Sequence, residues 1–164
     1  MRHGKAERGS GSGIRDHDLP FTRGGEQEAR SVAHILIEAG CIPNIILTSS
    51  AHRAVKTAEF LANSLGLHDK VHSLPILYEG TADHYLHTIQ QLPAAITTVL
   101  IIGHNPSVSV LAQSLRGHGI SPSHFTTGAI ACIEMDVHSW TEVSFHLGTC
   151  RWFYQPEHGL PPTL

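Results

Sequence analysis

The sequence is short of charge and has no long apolar run, and the two shortages exclude different things. Charged residues make up 15% of the chain and the formal net charge is -3, so neither a strongly basic nucleic-acid binder nor a disordered, highly charged chain is indicated. No apolar run approaches the roughly 20 residues of a membrane span, and the N-terminus lacks the charged-then-apolar order of a signal peptide. The cytoplasm is the expected compartment, with no membrane and no nucleic acid as partner. Cysteine is scarce too. Cys41, Cys132 and Cys150 are odd in number and far apart, which fits reduced, packed thiols better than a disulfide framework. Histidine is plentiful, at 14 residues, yet no cysteine or carboxylate completes a metal set around His68 and His72 or around His84 and His87. No metal and no other cofactor is expected.

What the chain does have is a core. Its 164 residues are 41% apolar, enough for one domain, and no repeat or linker divides residues 1–164. A Gly/Ser-rich loop over residues 5–13 runs into an irregular stretch, 14–21, holding Asp16, Asp18 and Pro20; this is either a flap beside a site or a linker. Apolar spacings of three and four predict helices over 22–39, over His52–Leu65, more weakly over 82–92, and from Pro106 to Arg116. Gly40 and Gly66 follow the first two as stops. Short apolar runs at 45–48 and Val99–Ile102 predict buried strands, and 71–77, interrupted by Pro75, predicts an edge strand. Tyr78-Glu79-Gly80 reads as a turn, 117–123 as a loop, and 129–135 with 142–147 as a hairpin turned near His138-Ser139.

This alternation predicts an α/β fold: a three-layer sandwich with a mostly parallel central sheet and helices on both faces. Ligands of such sheets collect outside the carboxyl ends of the strands. Three short stretches lie at or near such ends: Arg2-His3-Gly4, Ser49-Ser50-Ala51-His52-Arg53 and Gly103-His104-Asn105-Pro106. Imidazole can act as a nucleophile, guanidinium grips phosphoryl oxygens, and glycine lets the backbone turn beside a ligand. Arg53 falls in a first helical turn, where free N–H groups favour an anion and a lone cation is disfavoured. A strand needs roughly five residues, but only Met1 and Arg2 precede His3. The first strand is therefore expected to be truncated, by a chain that begins upstream or a start placed too late.

Arg2-His3-Gly4, the Ser-x-x-x-Arg-Ala-x-x-Thr-Ala pattern at 49–58 and Gly103-His104-Asn105-Pro106 together resemble the histidine phosphatase, or phosphoglycerate mutase-like, superfamily. Pro20-Phe21-Thr22 and Phe125-Thr126-Thr127-Gly128-Ala129-Ile130 are most similar to its SixA-type phosphohistidine phosphatase branch. The resemblance implies that His3 attacks phosphorus while Arg2, Arg53 and His104 hold the phosphoryl oxygens, with no metal. His3 must be unprotonated to attack, and His104 serves best protonated once phosphate is bound. Glu79 lies where many superfamily members carry an acid, and it is either the proton donor or a solvated turn residue; Asp83 is a weaker candidate. Leu19 stands where relatives often have arginine, a loss for which Lys5 and Arg8 could compensate. The expected substrate is a phosphorylated protein or a small phosphorylated metabolite. A mutase ranks lower, since the chain is short for insertions that close over a phosphosugar. The alternative from another class is a noncatalytic phospho-ligand binding module, and a purely structural protein ranks last.

Overall fold

The computed structural model describes residues 1–7 and 13–156. Helix α1 spans Arg23–Glu38. It opens on Thr22, whose Oγ1 accepts the Gly25 N–H at 3.2 Å and satisfies one of the donors a helix start leaves free. Helix α2, His52–Leu65, matches its predicted bounds and is closed by Gly66 at φ 71°, a left-handed cap that suits glycine. Single-turn α3 (Ile76–Glu79), α4 (Ala82–Gln90) and α5 (Ser107–Leu115) complete the helices among the described residues. None of these is long and apolar enough to cross a membrane.

Strands β1 (Ile45–Ser49), β2 (Val71–Leu74) and β3 (Val99–Ile102) form a parallel sheet in the order β2-β1-β3. A second sheet runs β4-β6-β5, from Arg116–Gly119, Gly148–Tyr154 and Ile130–Glu134. In it β4 lies parallel and β5 antiparallel to β6. Both faces are covered, as period-two alternation requires of strands without a wet side. Ile46, Leu100, Ile102 and Trp152 pack with α1 and α2, whereas Leu47 and Ile101 pack with residues of α4 and α5.

The two sheets meet at residues 1–3. Arg2 N–H donates to Ala129 O at 2.9 Å, just before β5, while His3 N–H donates to Gly103 O at 3.0 Å and Gly103 N–H to Met1 O at 3.1 Å. Arg2 and Gly103 form a parallel bridge. These three residues thus hold the place expected for a first strand. The Met1 backbone nitrogen donates to Ile101 O at 2.8 Å. A cleft of about 820 Å³ is lined by Cys132 and Ile133 of β5, Trp152 of β6, Trp140, and Thr97 and Thr98 just before β3.

Three local expectations change. The expected edge strand ends at Leu74, because Pro75 opens α3 and turns Tyr78 into a helical position. The expected hairpin is not the pairing found. Trp140–Glu142 is a short 3-10 turn, and β5 pairs instead with Gly148–Tyr154, whose buried positions alternate. That strand lies beyond 147, and β4 takes up Arg116, the expected helix end, with residues 117–119 of the expected loop.

Gly103, which ends β3 just before His104, is required by packing. A Cβ there would lie 2.0 Å from the Tyr85 hydroxyl oxygen, and that fully buried ring is held by a 2.6 Å bond to Leu77 O. Gly103→Ala is expected to lower stability by roughly 1–3 kcal/mol through overpacking. In a double-mutant cycle read by denaturant melts, Tyr85→Phe should recover part of that loss by removing the clashing oxygen; strictly additive losses would contradict this account.

Candidate active site

The three sequence stretches converge. His3 is held beside α2 by a relay: Gly4 N–H donates to Thr57 Oγ1 at 3.0 Å, and the Thr57 hydroxyl donates to Arg53 O at 2.6 Å. The imidazole is buried, with Nδ1 at 2.8 Å from Gly4 O. A carbonyl only accepts, so Nδ1 carries the hydrogen. Arg53 Nε donates to the other ring nitrogen, Nε2, at 3.2 Å. The two contacts agree on the tautomer: Nε2 presents a lone pair toward a guanidinium. Burial chiefly pushes this ring's pKa down to about 4, with Arg53 and Arg2 adding to the shift and the Gly4 carbonyl opposing it.

His104 follows β3 and lies with its ring centroid 4.9 Å from that of His3. Its Nδ1 is 3.3 Å from Arg53 Nη2 and its Nε2 is 2.8 Å from Ser49 Oγ. Since guanidinium only donates, Nδ1 accepts and the Nε2 hydrogen goes to Ser49. Burial, then His3 and Arg53, push this ring down to about 3. With protein groups alone around them, both imidazoles are therefore neutral near pH 7.

Arg53 links the cluster and is itself buried. Besides the two rings it engages Asp16, through Nη1 to the backbone O at 2.5 Å and Nη2 to Oδ2 at 2.9 Å. Tyr78 donates its hydroxyl to the same Oδ2 at 2.9 Å and stands edge-on to His104, with ring centroids 5.6 Å apart. The Arg53 hydrogen bond above all, with Tyr78 assisting, holds the Asp16 carboxyl below the usual carboxylate range. Arg2 donates Nη1 to Phe125 O at 2.9 Å, a carbonyl that also accepts from Asn105 Nδ2. Its Nε is buried and has no hydrogen-bond partner among the described residues.

Thus Arg2, His3, Arg53 and His104 are gathered, with Arg2 acting on both histidines through its charge. Glu79 is not: it is exposed and makes no hydrogen bond or ion pair among the described residues. Asp83 is exposed in the first turn of α4. Leu19 is buried. Lys5 is exposed, and Arg8 lies outside the described residues. The carboxylate on the cluster is Asp16, which no spacing singled out, since it sits on a 3-10 turn in an irregular stretch. Tyr78 went unread because its segment was taken for a turn. Ser49 belongs to a recognised pattern, but its bond to His104 joins residues 55 apart. Among the described residues no group of three or more His, Cys, Asp or Glu side chains could hold a metal ion.

The site thus gathers two arginines, Arg2 half-buried and Arg53 buried, with two buried imidazoles at the carboxyl ends of a parallel sheet in an α/β protein. The model of the histidine phosphatase superfamily (branch 1) matches residues 1–85. The phosphohistidine phosphatase SixA of Escherichia coli is 30% identical over 155 residues, covering 92% of each chain. The chain belongs to the histidine phosphatase superfamily and is a hydrolase of that class. A chloroplastic protein of Arabidopsis thaliana is also 30% identical, over 148 residues; this chain spans 66% of its length. Among solved structures, the protein histidine phosphatase SixA complexed with tungstate superposes with a TM-score of 0.79 at 30% identity, over 96% of both chains. A protein from Nakamurella multipartitia assigned to the same type gives a TM-score of 0.79 at 25% identity, over 95% of this chain and 93% of its own.

The two depressed imidazoles make stability depend on pH with a definite sign. Below about pH 6.5 the unfolded chain takes up protons that folded His3 and His104 refuse until about 4 and about 3. Their contribution is thus fully present above pH 6.5 and is lost as pH falls through the folded values. Thermal melts should show the transition temperature dropping between pH 6.5 and 4, and His104→Asn should flatten that drop.

Proposed function

We propose that this chain is a metal-independent phosphatase that works through a phosphohistidine intermediate on His3, with a phosphohistidine protein or small phosphoester as substrate. The observation that carries the reading is the pair of contacts that orient the His3 ring. Its Nδ1 hydrogen is committed to Gly4 O and its Nε2 lone pair faces Arg53, which is the state a nucleophile at phosphorus needs. Nε2 attacks, the bond to the leaving group breaks with its electron pair departing on that group, and water then displaces His3 to release phosphate.

Positioning and charge stabilisation supply most of the catalysis in phosphoryl transfer. In this reading Arg53, Arg2 and His104 provide both. The unpartnered buried Nε of Arg2 is the kind of donor that a phosphoryl oxygen would satisfy. A dianion between the rings would favour the imidazolium form of His104, opposing the burial and cationic neighbours that hold it neutral. Three cationic or protonatable groups then neutralise the transferring group, so the reading assigns no step to a metal. Tungstate, bound in the related SixA structure, is a tetrahedral oxyanion like phosphate. Glu79 is given no role, since its exposed side chain makes no hydrogen bond or ion pair with the cluster among the described residues.

Turnover of p-nitrophenyl phosphate should be abolished in His3→Ala and lowered about a hundredfold or more in Arg53→Ala, the scale of losing one preorganised stabiliser. Labelled substrate should leave acid-labile phosphate on His3. Activity retained by His3→Ala would overturn the proposal, and phosphate protection without any label would favour the noncatalytic binding module.

A further inference from the structure

We infer that Asp16 is a positioning and specificity residue, holding the outer edge of Arg53 and offering a carboxylate to the N–H of an imidazole leaving group. The inference rests on the phosphatase reading above and concerns which leaving group the site favours.

A guanidinium has two usable edges. On Arg53 the edge formed by Nε and Nη2 faces His3 Nε2 at 3.2 Å and His104 Nδ1 at 3.3 Å, the gap in which phosphorus would sit. The other edge is taken up by one residue: Nη1 donates to the backbone O of Asp16 and Nη2 to its Oδ2. Residue 16 therefore does not compete for the inner edge. It fixes the plane of the guanidinium from outside, with two contacts that differ in kind and cannot both persist if the plane turns. Fork geometry of this sort restricts orientation as well as adding energy.

The carboxylate has one oxygen to spare. Oδ2 already accepts from Arg53 and from the Tyr78 hydroxyl, while Oδ1 has no hydrogen bond among the described residues and the side chain is 63% exposed. This places an ionised acceptor at the rim, where a group leaving phosphorus would depart. Arg53 and Tyr78 both favour the ionised form of Asp16, so it is a poor proton donor, and no other carboxylate among the described residues makes a hydrogen bond or ion pair with the cluster. An alkoxide leaving group, which needs a proton, is poorly served.

An N-phosphorylated imidazole is served well. In its imidazolium form the ring carries a proton on the nitrogen away from phosphorus, and a carboxylate that accepts this N–H favours that form. As the new bond from His3 Nε2 to phosphorus forms, the old P–N bond breaks. Its electron pair returns to the ring nitrogen, and the ring leaves as neutral imidazole, keeping its own proton. No acid is consumed. The same negative charge disfavours acidic leaving groups at the rim.

The test compares kcat/KM for phosphohistidine and for p-nitrophenyl phosphate, whose leaving group needs no protonation. Asp16→Asn keeps an oxygen for Arg53 and Tyr78 but turns the rim-facing acceptor into an amide. It should lower the phosphohistidine value about tenfold more than the p-nitrophenyl phosphate value, the scale of one charge-assisted hydrogen bond. Asp16→Glu should restore most of that ratio, and Asp16→Ala should lose it while also slowing p-nitrophenyl phosphate by loosening Arg53. Equal losses on both substrates, or no loss on phosphohistidine, would overturn the specificity role. His3→Ala measured alongside separates the two claims, since activity surviving there defeats the phosphatase reading whatever Asp16 does.

Discussion

One guanidinium shared between two neutral imidazoles is the constraint on which the rest of this structure depends. Arg53 cannot give up its charge, so both ring nitrogens that face it must accept, and each ring's hydrogen is driven to the opposite side. Gly4 O and Ser49 Oγ stand there to take them. The tautomers are thus set by geometry at four points. A cation buried at the start of α2 would be costly beside the positive end of the helix dipole without an anion to answer it. Asp16 meets part of that cost from outside, and a phosphoryl group between the rings would meet the rest.

The fold serves this arrangement by bringing three chain segments to one end of a parallel sheet. β1 leads into Arg53, β3 into His104, and residues 1–3 run beside β3 with hydrogen bonds to both sheets. The contact between Gly4 and Thr57 then couples the first segment to α2 and ties the backbones beside His3 and Arg53 together. Gly103 allows Tyr85 to lie directly under the turn that presents His104.

Much of this was legible from residue pattern. α2, β3, the face of α1 and the mostly parallel architecture follow from helical and strand periodicities, because burial against a core imposes those periods on any sequence. The four residues that the structure gathers, Arg2, His3, Arg53 and His104, were legible as candidates because each belongs to a short motif beside a strand end. The hairpin was misread because 142–147 is apolar enough to imitate a strand, whereas the true partner, Gly148–Tyr154, owes its place to pairing with β5. Cross-strand pairing carries no signal in either strand alone.

The sequence by itself determined that this is an α/β domain presenting an arginine-histidine pair, a helix-borne arginine and a second histidine, since local pattern and residue chemistry suffice for that. Only the tertiary structure decided that Asp16 and Tyr78 are hydrogen-bonded to the cluster while the Glu79 side chain makes no such bond among the described residues, and that both imidazoles are held neutral by burial and Arg53. Those outcomes depend on burial and on contacts between residues tens of positions apart, such as the 62 positions separating Tyr78 from Asp16. Charge state and rim chemistry are properties of a shared space, which comes into being only when the segments meet.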